Sequence, residues 1–214
     1  MTTSWSTLFD RAAEYDVTLE QVQSADVPDV DGRGRGDDDA ETDDEDAGPQ
    51  PGNGPDDDHP DPARVVADPR VLAADLLVDG DARAALAHVR QHSWIDLVAS
   101  DQLLEQTEML VSDLTDADSE LAAAHRDRLA AERVRVDQPA GDHPALASAY
   151  RGNAAHLLSY DERLASAKAG LTLQPRVSVS VRPPDAFARL FDPESLYEAV
   201  EGGEYPGPDR TQRS

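Results

Sequence analysis

Short apolar runs alternate with longer amphipathic stretches between residues 63 and 200 of this chain. The apolar runs have the length and the β-branched composition of strands, and the stretches between them repeat their apolar positions at helical spacing. Regular alternation of this kind predicts an α/β domain of three layers, with helices on both faces of a mostly parallel central sheet. The runs that we interpret as strands are RVVA (64–67), WIDLVAS (94–100), RVRV (133–136), HLLS (156–159) and VSVSV (177–181).

The stretches between these strands carry recognisable helix signals. PRVLAADLLV starts with Pro69, which suits the first turn of a helix, and Ser100 stands where an N-cap is expected. Gly170 is placed to end the helix DERLASAKAG. RVRV alternates apolar and charged residues, as an edge strand does. The other predicted helices are DARAALAHVRQH (81–92), DQLLEQTEMLVSDL (101–114), DADSELAAAHRDRLAAE (116–132), HPALASAYRG (143–152) and PPDAFARLFDP (183–193).

Three further segments flank this domain. The pattern of residues 1–25 predicts a short amphipathic helix over 4–23, with Trp5 on its apolar face, Ser4 as N-cap and a break in the apolar pattern at Asp16. A helix this short is marginal alone, so it docks either on its own domain or on a protein partner. Residues 26–62 are rich in Gly, Pro and Asp and predict a disordered acidic linker. Residues 201–214 predict a loose tail.

The charge balance is strongly acidic, with 44 Asp and Glu against 19 Lys and Arg and a formal net charge of −25. The linker alone carries 15 acidic residues against two arginines, and the rest of the chain remains acidic. Lys168 is the sole lysine, because every other basic residue is arginine. A surface of this kind stays soluble in strong brine, so the composition predicts a halophilic source.

Several classes of protein are disfavoured by what the sequence lacks. It contains no cysteine, which excludes disulfides and thiolate zinc sites. No apolar run approaches the roughly 20 residues that span a bilayer. The start, MTTSWSTLFDRAAEYD, lacks the basic and apolar regions of a signal peptide. These features predict a soluble cytoplasmic protein with no membrane partner.

Acidic residues follow the predicted strands at the edge where parallel sheets bind ligands. Asp68 follows the first strand, Asp161 follows HLLSY, and Asp142 stands before the helix HPALASAY. Gln106 shares a stripe with Leu103 and Leu110 on its helix. Carboxylates that converge repel each other, and a hard divalent cation such as Mg²⁺ or Mn²⁺ relieves that repulsion. The alternative is that each aspartate simply caps the helix that follows it.

The stretch DHPALASAYRGNAAHLLSYDERL resembles the PIN-domain superfamily of nucleases. The order and spacing of its acidic, apolar and glycine positions carry the resemblance, which extends from Arg64 to Val200. RVVADPRVLAADLL resembles the family's opening strand and helix, and SDQLLEQTEML resembles its second acidic helix. The positions that match within the central stretch are Asp142, Leu146, Ala149, Gly152, Ala154, Leu157, Leu158, Asp161 and Leu164.

This resemblance implies an endoribonuclease, a hydrolase that depends on Mg²⁺ or Mn²⁺ and acts on RNA. It implies catalytic roles for Asp68, Asp142, Asp161 and Gln106, with the three aspartates as metal ligands. The chain departs from the family pattern at Gln106, where the family has Glu, and at Arg70, where it has Asn.

The family's Thr-Gly before the last aspartate is Ser159-Tyr160 in this chain. The departures predict a weakened site. The alternative is an inactive PIN-like interaction module that binds a protein partner through the Trp5 helix.

Overall fold

The sheet is built around β1 (Asp61–Ala67), which is the central strand. In the computed structural model of the protein, which describes residues 3–28, 59–138, 142–165 and 179–210, five parallel strands lie in the order β3-β2-β1-β4-β5. Val65 pairs with Leu97 on one side and with His156 on the other. The other strands are β2 (Asp96–Ala99), β3 (Val134–Arg135), β4 (Ala154–Leu158) and β5 (Ser180–Arg182).

Helices flank this sheet, as the alternating sequence pattern predicts. The α/β class, the three layers and the parallel sheet are therefore confirmed, and β3 is an edge strand as expected. Each helix is short, and none in the described ranges has the length and apolarity needed to cross a membrane. The helices are α1 (Trp5–Ala12), α2 (Leu19–Ser24), α3 (Pro69–Leu77), α4 (Asp81–Gln91), α5 (Asp101–Leu114), α6 (Ser119–Glu132), α7 (Pro144–Arg151), α8 (Glu162–Ala165), α9 (Pro184–Leu190) and α10 (Pro193–Val200).

The N-terminal segment is divided into two helices, and the break predicted at Asp16 lies between them. It forms α1 and α2, and the second begins with a capping box between Thr18 and Gln21. The segment docks on its own domain, where Leu8, Ala12 and Val22 are buried in the common core. The apolar face that the sequence offers to a protein partner is therefore covered by the chain itself.

Other boundaries differ from the sequence predictions. Strand β1 begins at Asp61, inside the predicted linker, and residues 29–58 of that linker lie outside the described residues. The predicted end of a helix at Gly170 also lies outside them. The tail was expected to be loose, but the backbone N–H groups of Asp209 and Arg210 donate to the carbonyl of Gln91. The tail is thus held against the domain as far as Arg210.

A buried ion pair lies beneath α1. Arg90 donates to both carboxylate oxygens of Asp75, at 2.7 and 2.9 Å, and the Asp75 side chain is 0% exposed. The Arg90 guanidinium also lies 4.9 Å from the ring centre of Trp5, which closes the pair off from solvent. A charge pair so well shielded from water is stable only while both partners are present.

His125 lies next to this pair and is fully buried on α6. Neither ring nitrogen has a hydrogen-bond partner within the described part of the chain. Burial, with Arg90 as a second cause, lowers the pKa of His125 to about 3. The folded protein therefore holds this imidazole neutral at pH values where an unfolded chain would protonate it.

We expect His125 to make the protein less stable as the pH falls from about 6.5 towards 3. In that window the unfolded state binds a proton that the folded state does not, which costs up to about 1.4 kcal/mol per pH unit. Between pH 7 and 4, the free energy of unfolding measured in urea should fall less for the His125→Leu variant than for the unsubstituted protein. His59→Leu, which removes an exposed histidine, is the control. If the free energy of unfolding changed equally with pH in all three proteins, His125 would not be the cause of the pH dependence.

Candidate functional site

An open cleft of about 640 Å³ lies at the carboxyl ends of the strands, in the size range of small-molecule sites. The chain runs from β1 outward to β2 and β3, and then returns to place β4 on the other side of β1. Ligands of open parallel sheets bind where the strand order reverses in this way. The residues that line the cleft are Leu19, Gln23, Arg70, Asp81, Ser159, Tyr160, Asp161, Arg163, Pro183 and Asp185.

Asp68 ends β1 and begins α3. Its carboxylate accepts a hydrogen bond from the backbone N–H of Val71 at 2.9 Å, so it is an N-cap, and it also interacts with the Ser159 side chain. The side chain is buried, and burial raises the pKa of Asp68 while those hydrogen bonds oppose the rise. Asp68 thus lies next to Ser159, one of the residues that line the cleft, with part of its hydrogen-bonding capacity already used.

Asp161 follows β4 and lines the cleft itself. Arg163 donates from Nε and Nη2 to the two carboxylate oxygens, each at 3.0 Å, and from its backbone N–H at 2.9 Å. The hydrogen bond from the Arg163 side chain is the main reason why the pKa of Asp161 is lowered. The carboxylate is therefore ionised and already has a cationic partner.

His143 lies close enough to both aspartates for their charges to affect its pKa. It is the residue before α7, and burial lowers its pKa, while the charges of Asp68 and Asp161 act in the opposite direction. Two of the three predicted metal-ligating aspartates, Asp68 and Asp161, therefore both lie near His143.

The other two predicted residues have different surroundings. The sequence suggested Asp142 as a possible cap for α7, which is wrong, because His143 is the N-cap residue and no side chain caps that helix. The Asp142 backbone carbonyl accepts a hydrogen bond from Gln138 at 2.9 Å. Gln106 is buried within α5. Neither Asp142 nor Gln106 is among the residues that line the cleft.

The donor set does not fit the metal site that the PIN resemblance implies. Across residues 3–28, 59–138, 142–165 and 179–210, no group of three or more His, Asp or Glu side chains is placed to hold a metal ion. Asp161 is paired with an arginine, and Asp68 caps a helix. A hard divalent cation needs several oxygen ligands with open positions, and this arrangement supplies two carboxylates that are both engaged.

Comparison with family models gives one match, described as a family of unknown function (DUF7384), which spans residues 59–213. The chain belongs to the DUF7384 family. No curated protein and no solved structure matches the chain. The DUF7384 region includes the whole sheet and the residues at its carboxyl edge, but it leaves out α1 and α2.

Two features of the cleft in this DUF7384 protein were missed by sequence reasoning. Arg70 is two residues from Asp68, and its Nε and Nη2 donate to the backbone carbonyl of Ala25, at 3.0 and 2.9 Å. Helix α2 contributes Leu19 and Gln23 to the cleft wall. No local signal marks either feature, because both depend on where a distant segment docks.

Proposed function

We propose that this protein is a catalytically inactive PIN-like module that binds RNA in the cleft at the β1–β4 edge without cleaving it. The observation that carries the proposal is the pairing of Asp161 with Arg163. In a metal-dependent nuclease, the carboxylates at this edge must be free to bind cations, and here Asp161, the predicted ligand that lines the cleft, is ion-paired with Arg163 through two hydrogen bonds.

The cleft has the groups needed to bind a nucleotide chain. Arg70 can contact a phosphate oxygen through Nη1, since its Nε and Nη2 already donate to Ala25, while Ser159, Tyr160 and Gln23 offer neutral hydrogen-bonding groups. Asp81, Asp161 and Asp185 oppose polyanion binding, although Arg163 and Arg189 each pair with one of these carboxylates. In molar salt, charges beyond roughly 3 Å are screened, so the remaining acidic surface repels RNA less than it does in dilute buffer.

A metal-dependent endoribonuclease is the second candidate function. The observation in its favour is the common effect of Asp68 and Asp161 on His143, which places two of the predicted ligands in one neighbourhood. Both functions use the same cleft, and they differ in whether the bound RNA is cleaved.

We expect the full-length protein to bind labelled single-stranded RNA in molar KCl and to leave it uncut in Mg²⁺ or Mn²⁺. Binding is measured by fluorescence anisotropy and cleavage by gel electrophoresis, with the Asp161→Ala variant as the reference for background cutting. RNA cleavage that needs Mn²⁺ and disappears in Asp161→Ala would establish the nuclease. An RNA affinity too weak to detect would refute RNA as the ligand.

A further inference from the structure

One part of the cleft is apolar and aromatic. Leu19 of α2, Tyr160 after β4 and Pro183 after β5 all line it. Leu19 is 37% exposed, and unlike the more exposed Leu190 it lies inside the cleft. Partly exposed apolar surface inside a polar cleft is suited to the flat face of a ligand.

The Tyr160 hydroxyl is available to a ligand. It makes no hydrogen bond to any other group in the part of the chain that the structure describes. Burial raises the pKa of Tyr160, and the charges of Asp68, Asp81 and Asp185 raise it further. The hydroxyl therefore stays protonated at working pH and can donate a hydrogen bond to a ligand oxygen or nitrogen.

Charged groups line the same cleft, and two of them are arginines. Arg70 lies in the first turn of α3 and Arg163 on α8, and both side chains line the same cleft as Tyr160. Arg163 is engaged by Asp161, and Asp185 is paired with Arg189, so Arg70 is the cation that an anionic part of a ligand would contact, while a flat, weakly polar part would lie against Leu19, Tyr160 and Pro183. A nucleotide has both parts.

We propose that Tyr160, with Leu19 and Pro183, forms a base-binding subsite for a nucleotide whose phosphate contacts Arg70. This inference rests on the proposed RNA-binding function and adds the group of the ligand that is recognised. The subsite depends on Tyr160, which follows β4 and lines the cleft. It also depends on α2, which lies outside the DUF7384 region.

The subsite is tested by calorimetric titration of the full-length protein in molar KCl with AMP, UMP, adenosine and inorganic phosphate. We expect AMP and UMP to bind at least about tenfold more tightly than phosphate, since stacking of a base on an aromatic ring contributes that much. Adenosine should bind more weakly than AMP but remain measurable. Binding of phosphate as tight as that of AMP would overturn the base subsite.

Variants of Tyr160 separate stacking from hydrogen bonding. Tyr160→Ala should weaken AMP binding about tenfold and leave phosphate binding unchanged. Tyr160→Phe should weaken AMP binding less, because the aromatic ring remains. Tyr150→Ala is the matched control, since Tyr150 is 43% exposed on α7 and does not line the cleft. Circular dichroism of each variant checks that it is folded. Unchanged AMP binding in a folded Tyr160→Ala protein would overturn the proposal.

The titrations and the RNA assays can fail independently. If RNA binds but Tyr160→Ala has no effect on AMP or RNA, the subsite is refuted and the RNA-binding module stands. If nucleotides bind through Tyr160 but RNA is cut in a metal-dependent reaction, the inactive module is refuted and the subsite stands. If neither RNA nor mononucleotides bind, both are refuted.

Discussion

Substitution of Arg90 by alanine is expected to lower the free energy of unfolding by about 3–5 kcal/mol. The change leaves the fully buried Asp75 carboxylate without the two charge-assisted hydrogen bonds that it now receives. It also removes the cation that lies over the Trp5 ring. Because whole domains are stable by about 5–15 kcal/mol, this loss is a large fraction of the total stability. Urea unfolding followed by circular dichroism in molar KCl measures the difference.

Arg189→Ala is the matched control for this experiment. It breaks the ion pair between Asp185 and Arg189, whose side chains are 39% and 71% exposed. Exposed pairs contribute about 0–1 kcal/mol, so this variant should unfold almost as the unsubstituted protein does. If Arg90→Ala lowered the free energy of unfolding no more than Arg189→Ala does, the buried ion pair would not stabilise the fold.

The second large effect is expected from Leu8→Ala, at about 2–5 kcal/mol. Leu8 is 2% exposed and belongs to the same buried cluster as the strands, although α1 lies outside the DUF7384 region. Removing its side chain leaves a cavity between the N-terminal segment and the domain. We expect one cooperative unfolding transition at lower urea concentration, seen equally by tryptophan fluorescence and by circular dichroism.

Asp10→Ala provides the control on the same helix, because Asp10 is exposed and its side chain does not enter the core. This variant should change the free energy of unfolding by less than about 0.5 kcal/mol. Two separate transitions in Leu8→Ala, with α1 lost first and the sheet unaffected, would contradict the view that α1 and the domain unfold together.

The sheet could be predicted from sequence because its signals are local. Apolar runs such as RVVA and HLLS contain enough β-branched or leucine residues to be assigned as strands, and Pro69 and Ser100 mark the starts of helices. The interruption between α1 and α2 also has a local signal, because the apolar pattern breaks at Asp16. The capping box at Thr18 marks the start of α2.

The candidate site was predicted less well, for a physical reason. The position of Asp68 and Asp161 after neighbouring strands follows from the parallel topology, so their common neighbourhood could be expected. The hydrogen-bond partner of each side chain could not be predicted. Arg163 is two residues from Asp161 and Ala25 is far from Arg70 in sequence, and both contacts depend on rotamers and docking that periodicity does not encode. Halophilic origin, metal dependence and RNA binding stay predictions.

The docking of residues 3–28 on the domain has a practical consequence for work on relatives in the family. A recombinant fragment trimmed to residues 59–213 would expose Arg90 and the apolar groove that Leu8 and Val22 now fill. It would also lose Leu19 and Gln23 from the cleft. Aggregation or weak ligand affinity in such a fragment would reflect the trimming, so inactivity should be judged on the full-length polypeptide.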